Sequence, residues 1–173
     1  PGNIYNGVAV VTNPGAKGKG TLVVLNDEIH YARNVMKTNT TTVQTFVSIN
    51  RGPAGVVNTG KIQWFEPMDR KVGPATGFSV DALDKLPRVD VIYAHANMSA
   101  DLIDAAVKNG ARGLVIADVG DDNMTTPALD AVTRAAKSGI VVVRSTRLAS
   151  GITLRNNEVS DDEKGLVASG ELN

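Results

Sequence analysis

The sequence contains no cysteine, and this absence excludes several kinds of site. Disulfide bonds, thiolate metal centres and cysteine nucleophiles all require a thiol. Only two histidines are present, His30 and His95, and they are well separated along the chain. A zinc site built on imidazole nitrogens is therefore not expected either, and we expect the chain to use no metal and no other cofactor.

The sequence also lacks an excess of charge of either sign. Its 18 basic and 18 acidic residues cancel, so the sequence has no net positive charge that would favour binding to a phosphate backbone. Long apolar runs are missing as well, because no run approaches the roughly 20 residues that span a bilayer. We therefore expect neither a nucleic-acid partner nor a membrane partner.

The two ends of the sequence indicate a piece of a longer protein. The chain begins with PGNIYNGVAVV and no initiator methionine, and it closes with ASGELN, which lacks the pattern of a finishing helix. Its 173 residues are enough for one ordinary domain, or for parts of two, at about 100 to 200 residues per domain.

Short helical and strand patterns fill the first 65 residues. Apolar residues recur at helical spacing over residues 3–11, and the segment NPGAKGKG then ends the helix. TLVVLND, residues 21–27, is typical of a strand covered on both faces. TTVQTFVS, residues 41–48, predicts a short helix that nearby threonines cap. Residues 55–65 predict two strands joined by a turn at residues 58–60.

The second half alternates strands and helices more regularly. A segment rich in Pro, Gly and charge suggests a linker over residues 66–87. Three strands follow, RVDVIYA, GLVIAD and IVVVRS. We expect a helix after each of the first two strands, with Ser99 as the N-cap of one and Thr126, followed by Pro127, as the N-cap of the other. This order predicts a small doubly wound α/β unit over residues 88–145, with parallel strands joined by right-handed crossovers and helices on the faces of the sheet.

Polar loops at the carboxyl ends of these strands are the first place to look for a ligand site. The loop at residues 119–124 is the richest, because Asn123 offers an amide and Asp121 and Asp122 bring negative charge. Ordinary turns and helix caps are the alternative explanation for such residues. His95 also lies at a strand end, where a hydrogen-bonded structural role competes with a catalytic one.

From the residues alone, Lys37 has two interpretations and Glu158 has one. Lys37 follows a predicted strand and adjoins the apolar residues Val35 and Met36, so we expect it to be partly buried. A lysine removed from water needs a carboxylate or hydroxyl partner, or its pKa falls, and either condition suits it to activate a nucleophile. A structural lysine is the alternative. Glu158 lies among polar and acidic neighbours, which is typical of a solvated loop.

Four segments together resemble the second half of a bacterial type II L-asparaginase, a family that includes the glutaminase-asparaginases. They are PGNIYNGVAVV, GKGTLVVLNDEIHYARNVMKTNTTTVQTF, GPAGVVNTGKI and DEKGLVASGELN. The resemblance implies an α/β fold: the end of a larger N-terminal α/β domain at residues 1–65, a linker at 66–87, and a Rossmann- or flavodoxin-like parallel-sheet domain at 88–173.

The resemblance also implies an activity and residue roles. Family members hydrolyse the side-chain amide of L-asparagine, and to varying degrees of L-glutamine, through a threonine nucleophile and an acyl-enzyme. A second threonine, an aspartate and a lysine complete the site, and the lysine falls at Lys37 in a segment similar to DVTKTNTT. Substrate-binding residues from a neighbouring subunit fall at Asn123 and Glu158. Where the family more often has Asn and Gly, this sequence has Asp121 and Asp122.

Other family features are expectations about what lies outside this sequence. The segments that hold both threonines and the aspartate resemble TGGTIA and HGTDT, and they would precede Pro1. The resemblance further implies a homotetramer built from close dimers, with active sites shared between subunits, and a periplasmic location. A non-catalytic α/β module that binds an amino acid is the competing hypothesis, because a fold alone does not specify a reaction.

Overall fold

The chain folds into two compact units, which meet in sequence between Leu83 and Asp84. The computed structural model describes residues 2–65, 72–121 and 123–172, without the side chains of Pro74 and Ala75. Residues 66–71 of the predicted linker lie outside the described residues. Asp122, in the loop at residues 119–124, also lies outside them. The domain limits given above therefore stay a prediction, and each unit is described by itself.

The described part of the first unit combines one α-helix and two short 3-10 helices (Pro14–Ala16 and Gly73–Thr76) with short antiparallel strands. Its elements are α1 (Gly2–Thr12), β1 (Leu22–Leu25), β2 (Glu28–Tyr31), β3 (Met36–Lys37), β4 (Phe46–Val47), β5 (Gly55–Asn58) and β6 (Lys61–Trp64). Four strands form a sheet in the order β1-β2-β5-β6, and β3 pairs with β4 separately. The predicted helix and the predicted pair of strands at 55–65 are confirmed. The strand predicted at 21–27 is present, but its residues are only half-buried.

Asn6 connects the helix of this unit to both tight turns of the sheet. The turn between β1 and β2 places Asp27 at positive φ, and the turn between β5 and β6 does the same at Thr59 and Gly60. The buried Asn6 amide donates to Asp27 Oδ1 at 3.0 Å and accepts from the Gly60 N–H at 3.2 Å. A two-residue turn of this kind suits the twist of the strands, and the shared amide fixes how α1 lies on the sheet.

The helix predicted at residues 41–48 is wrong. Asn39 Oδ1 instead accepts from the backbone N–H groups of Thr41 and Thr42, at 2.9 and 3.1 Å, which makes a turn. Thr45 then returns to the start of the loop, where its carbonyl accepts from the N–H of Thr38 at 2.7 Å. Hydrogen bonds from short polar side chains to nearby backbone groups compete with the backbone hydrogen bonds of a helix. The threonines therefore close a loop between β3 and β4.

His30 is buried in the first unit, and its environment predicts a pH dependence of stability. Burial lowers the pKa of His30 below 6.5, although Glu28, 3.3 Å from its Nε2, acts in the opposite direction. The unfolded chain then binds a proton more readily than the folded chain. We expect the free energy of unfolding to be highest above pH 6.5 and to fall as the pH drops below that value. Urea unfolding of a longer polypeptide that contains this chain, between about pH 7.5 and about pH 5, measures this, because the range spans the ordinary pKa of histidine.

The second histidine offers a matched control for that measurement. His95 is exposed, so His95→Gln should preserve the pH dependence. His30→Gln should reduce it, even if the substitution also lowers stability at every pH. Equal slopes for the two variants would contradict the assignment to His30.

The second unit is built on a parallel sheet. Its elements are β7 (Val89–Tyr93), α2 (Asp101–Lys108), β8 (Gly113–Asp118), α3 (Thr126–Lys137), β9 (Val141–Thr146), α4 (Asp161–Lys164) and β10 (Val167–Ala168). The strands lie in the order β10-β9-β8-β7, and every pair is parallel. The predicted alternation of strands and helices is confirmed, and the fold class is the expected mixed α/β one.

The predicted doubly wound arrangement, with helices on the faces of the sheet, is wrong for the described residues. Helices α2 and α3 contact each other and cover one face of this sheet. The strands follow one another in chain order, and crossovers of one hand that always advance in the same direction leave their helices on the same face. The core between them contains Ile92, Leu114, Ile116 and Val142 from the strands and Ile103, Ala131 and Val132 from the helices. On the other face, Val89, Val91, Val141 and Val167 are exposed in the described chain.

The predicted caps of these helices need two corrections. Ala100, rather than Ser99, is the N-cap of α2, although the Ser99 hydroxyl accepts from the N–H of Asp101 at 3.3 Å. Thr125, rather than Thr126, is the N-cap of α3: its hydroxyl accepts from the N–H of Ala128 and donates to the Met98 carbonyl at 2.6 Å. The helix therefore begins at Thr126, one residue earlier than the Thr-Pro pattern suggested. Its cap also joins α3 to the loop after β7, which the sequence pattern did not indicate.

Candidate functional site

Lys37 lies in β3, opposite Phe46 of β4, and its side chain is exposed in the first unit. The expectation of partial burial is thus wrong for the described chain. The reason is the short hairpin: β3 is only two residues long, and the loop that closes it begins at Thr38. The loop fixes the backbone on both sides of Lys37 while leaving its amine free to meet a group from elsewhere.

Asn123 follows β8 in a tight turn of the second unit. It forms an isolated antiparallel bridge with Val119, and its N–H donates to the Val119 carbonyl at 3.3 Å. Gly120 makes this turn possible because its φ is +74°, a conformation that side chains disfavour. The Asn123 side chain is exposed at the carboxyl end of the strand, where parallel sheets bind ligands.

Asp121 connects the Asn123 turn to the loop that carries Glu158. One carboxylate oxygen accepts from the Leu154 N–H at 2.7 Å, and the other accepts from the Asn157 side-chain amide at 2.6 Å. Asp121 is two residues from Asn123, and Asn157 is the neighbour of Glu158. The fold thus brings together the two loops that the resemblance singled out in this unit.

The loop before Glu158 is also fixed from beneath by a buried ion pair. Arg144 and Asp161 are both fully buried, and Arg144 donates to the two carboxylate oxygens at 2.6 and 2.7 Å. Arg144 donates in addition to the Leu154 carbonyl at 3.1 Å, and Asp161 accepts from the Asn156 N–H at 2.7 Å. Paired, bidentate contacts of this kind give strong geometric specificity.

The electrostatics of this pair follow from opposing effects. Burial by itself would raise the pKa of Asp161, but hydrogen bonds from Arg144 and from the Asn156 backbone lower the pKa below its ordinary value. The carboxylate is therefore ionised whenever the protein is near neutral pH. Its exposed neighbour Asp162 accepts from Arg155 and Asn156, and these bonds lower the pKa of Asp162 too.

Glu158 itself is exposed and directly follows residues 154–157, which these hydrogen bonds hold in place. The interpretation of its surroundings as a solvated loop described the exposure correctly, but it missed the buried ion pair of Arg144 and Asp161 that holds the loop.

His95, the other candidate, is exposed and forms a hydrogen bond between its Nδ1 and the neighbouring Ala96 carbonyl, at 2.8 Å. Lys37 belongs to the first unit and Asn123 and Glu158 to the second.

Sequence reasoning missed Arg144 and Asp161. Arg144 interrupts an otherwise apolar strand, IVVVRS, and a charged residue at a buried strand position requires a partner. That was a usable signal, but it does not identify the partner. Five acidic residues follow in the sequence from position 158 onward: Glu158, Asp161, Asp162, Glu163 and Glu171.

The described parts of the chain offer neither a metal site nor a membrane-spanning helix. No group of three or more histidine, aspartate or glutamate side chains there is arranged to hold a metal ion. Likewise, none of the helices formed by those residues combines the length and apolar character needed to cross a membrane.

An α/β chain with a small parallel-sheet unit and a polar site at the carboxyl ends of its strands belongs to a broad class of small-molecule-binding proteins and enzymes. Comparison with protein families is more specific. The Glutaminase/Asparaginase C-terminal domain matches residues 88–173, and the Asparaginase, N-terminal domain matches residues 1–70. The chain belongs to the glutaminase/asparaginase family.

Individual relatives align along essentially the whole chain. L-asparaginase 2 of Bacillus subtilis is 47% identical over 173 residues, which cover 100% of this chain and 45% of the relative. A probable periplasmic L-asparaginase of Haemophilus influenzae is 42% identical, with 100% and 50% covered. A glutaminase-asparaginase of Pseudomonas fluorescens is 33% identical over 172 residues, covering 99% and 47%. The chain spans about half the length of the curated relatives it matches.

Proposed function

We propose that this chain forms part of an L-asparaginase, which hydrolyses the side-chain amide of L-asparagine to aspartate and ammonia. Membership of the glutaminase/asparaginase family and the names of the relatives support this activity. The alignment to L-asparaginase 2 along the full 173 residues is the single observation that carries the proposal. The competing hypothesis of a non-catalytic binding module is not favoured, because those relatives are named as enzymes.

Lys37 is the residue to which we assign a part in the chemistry. A threonine hydroxyl attacks the amide carbonyl only when its proton is removed, and water then releases aspartate from the acyl-enzyme. A lysine amine connected to a hydroxyl and a carboxylate assists that proton transfer or stabilises the charge that develops. The exposed position of Lys37 on a closed hairpin supports this role, since its amine is available to a threonine from another segment of the polypeptide.

Asn123 and Glu158 are assigned to substrate binding. The carboxylate of Glu158 pairs with the α-ammonium of the amino acid, and the amide of Asn123 steadies that carboxylate. Their exposure at neighbouring loops of one unit, with Asp121 between the loops, supports a shared role. The full site also requires Lys37 and the threonine nucleophile, which we assign to an adjoining subunit.

The substrates, assembly and location follow the family. We propose L-asparagine as the principal substrate and L-glutamine as a second one, since relatives are named both L-asparaginase and glutaminase-asparaginase. A homotetramer of close dimers would place residues of two subunits in each site. One relative carries the name periplasmic, and this supports a periplasmic location.

Ammonia release tests this proposal directly. A longer polypeptide, in which this chain follows segments that supply two threonines and an aspartate, is expected to release ammonia from L-asparagine. The 173 residues expressed alone are expected to release none and to aggregate, because β1 lies at the end of the described sheet with half-buried apolar residues. A coupled glutamate dehydrogenase assay measures the ammonia. Release by the isolated chain, or none by the longer polypeptide, would contradict the proposal.

A further inference from the structure

Asp121 occupies a special position because it is the hydrogen-bonding link between two loops that are far apart in sequence. Its contacts reach Leu154 and Asn157, 33 and 36 residues further along the chain. Both distances, 2.7 and 2.6 Å, are short for contacts made by nitrogen donors, as is typical when the acceptor is charged.

A carboxylate is the side chain that suits both contacts at once. The Leu154 N–H and the Asn157 NH₂ are both donors, and an ionised carboxylate offers acceptors on each of its oxygens. An asparagine at position 121 would offer one acceptor and one donor, so its NH₂ group would face one of these two donors. The resemblance noted above puts Asn more often at this position, and Asp121 is thus a departure that its contacts explain.

The loop on the far side of the connection is itself held by hydrogen bonds to a buried ion pair. Leu154 is held through its carbonyl by Arg144, and Asn156 is held by Asp161, whose side chain is fully buried. Asn156 also adopts positive φ, at +54°, which favours asparagine at this bend. Asp121 therefore joins the turn that carries Asn123 to a segment that the core already fixes.

We infer that Asp121 is a positioning residue, whose carboxylate sets the Glu158 loop against the Asn123 turn and so determines how tightly the α-ammonium end of the substrate is bound. This inference rests on the proposed function of those two residues. Asp121 acts through the loops and does not itself contact the substrate. Its effect should consequently appear in KM, since the α-amino end lies away from the amide where the bond is broken.

The test uses kinetics of the longer, active polypeptide with L-asparagine. Asp121→Asn is expected to raise KM about tenfold and to change kcat by less than about threefold, because it breaks one of two contacts that order the binding loops. Asn157→Ala, which keeps the negative charge at position 121, is expected to raise KM in the same direction. An effect of the charge alone would leave that second variant unchanged.

Rescue provides the sharpest test. Combining Asp121→Asn with Asn157→Asp reverses the polarity of the contact: the new amide accepts from the Leu154 N–H and donates to the new carboxylate, with no change of net charge. We expect KM to return to within about threefold of its original value. Hydrogen–deuterium exchange of the peptide covering residues 150–159 should rise in Asp121→Asn and fall again in the double variant.

Asp104→Asn is the matched control. Asp104 is an exposed carboxylate of α2 that pairs with Arg134 at 3.1 Å, and its replacement should alter neither KM nor the exchange of that peptide. Unchanged KM in Asp121→Asn, or a double variant no better than the single ones, would overturn the inference while leaving the enzyme an asparaginase. An unaltered polypeptide that releases no ammonia would instead overturn the proposed function, and the inference with it.

Discussion

Replacing Lys37 with methionine in the longer polypeptide is expected to lower kcat for asparagine hydrolysis by about 100- to 10,000-fold, the range typical of losing a group that transfers a proton. Methionine keeps an unbranched apolar side chain of similar length and removes only the amine. Because Lys37 is exposed and lies on a hairpin closed by Thr38 and Thr45, the fold should tolerate the change. Steady-state ammonia release and circular dichroism measure the two quantities.

Lys61 is a suitable control for this experiment. It is also an exposed lysine on a short strand of the first unit, at the start of β6. Lys61→Met should leave kcat within about twofold of its original value, as expected for a surface residue outside the site. If Lys37→Met behaved like Lys61→Met, the chemical role proposed for Lys37 would be wrong.

Asp161→Asn is expected to be the most destabilising single change in the second unit, by about 3 to 5 kcal/mol of unfolding free energy. The substitution leaves the buried Arg144 facing an amide that has one acceptor oxygen instead of two, and a buried charge that loses its counter-charge is costly. Urea unfolding of the longer polypeptide at pH 7 measures the loss.

The adjacent residue distinguishes a buried ion pair from an exposed one. Asp162 pairs with Arg155 at the surface, so Asp162→Asn should cost far less than Asp161→Asn. Equal losses for the two variants would show that burial of Asp161 is not the cause.

The same comparison has a predictable pH dependence. The pKa of Asp161 is lowered in the folded chain from an ordinary value of 3.8, because the bonds from Arg144 and Asn156 outweigh the effect of burial. Its stabilising contribution is present above pH 3.8 and is lost as the pH falls through the lowered folded-state pKa. The difference between the original protein and Asp161→Asn should therefore shrink below pH 3.8.

Elements with strong periodic patterns could be predicted from the sequence. Apolar runs bounded by glycine gave β8 and β9, and helical spacing gave α1 and α2. The threonine segment failed for a definable reason. Its residues form side-chain bonds to the backbone between Asn39 and Thr45, and these bonds compete with a helix in a way that spacing of apolar residues does not reveal.

The candidate site divides in the same way. Lys37, Asn123 and Glu158 were identified by the resemblance of their segments to those of a known family, and their roles stay proposals. The partners of Arg144 and Asp121 depended on folding, since each makes its contacts with residues 10 to 36 positions away. Glu158 looked like part of an ordinary polar loop because its neighbours are polar. The buried pair of Arg144 and Asp161 that holds this loop does not produce a periodic pattern of apolar residues in the sequence.

The sequence by itself determined the order of helices and strands from β7 to β9, the family to which the chain belongs, and the absence of thiol chemistry. These properties depend on residue type and on spacing over a few turns or a few strands. Only the tertiary structure decided that Asp121 joins the Asn123 turn to the Glu158 loop and that Arg144 pairs with Asp161. Hydrogen bonds and ion pairs depend on distances of about 3 Å in space, and a linear sequence does not record which distant polar residues meet.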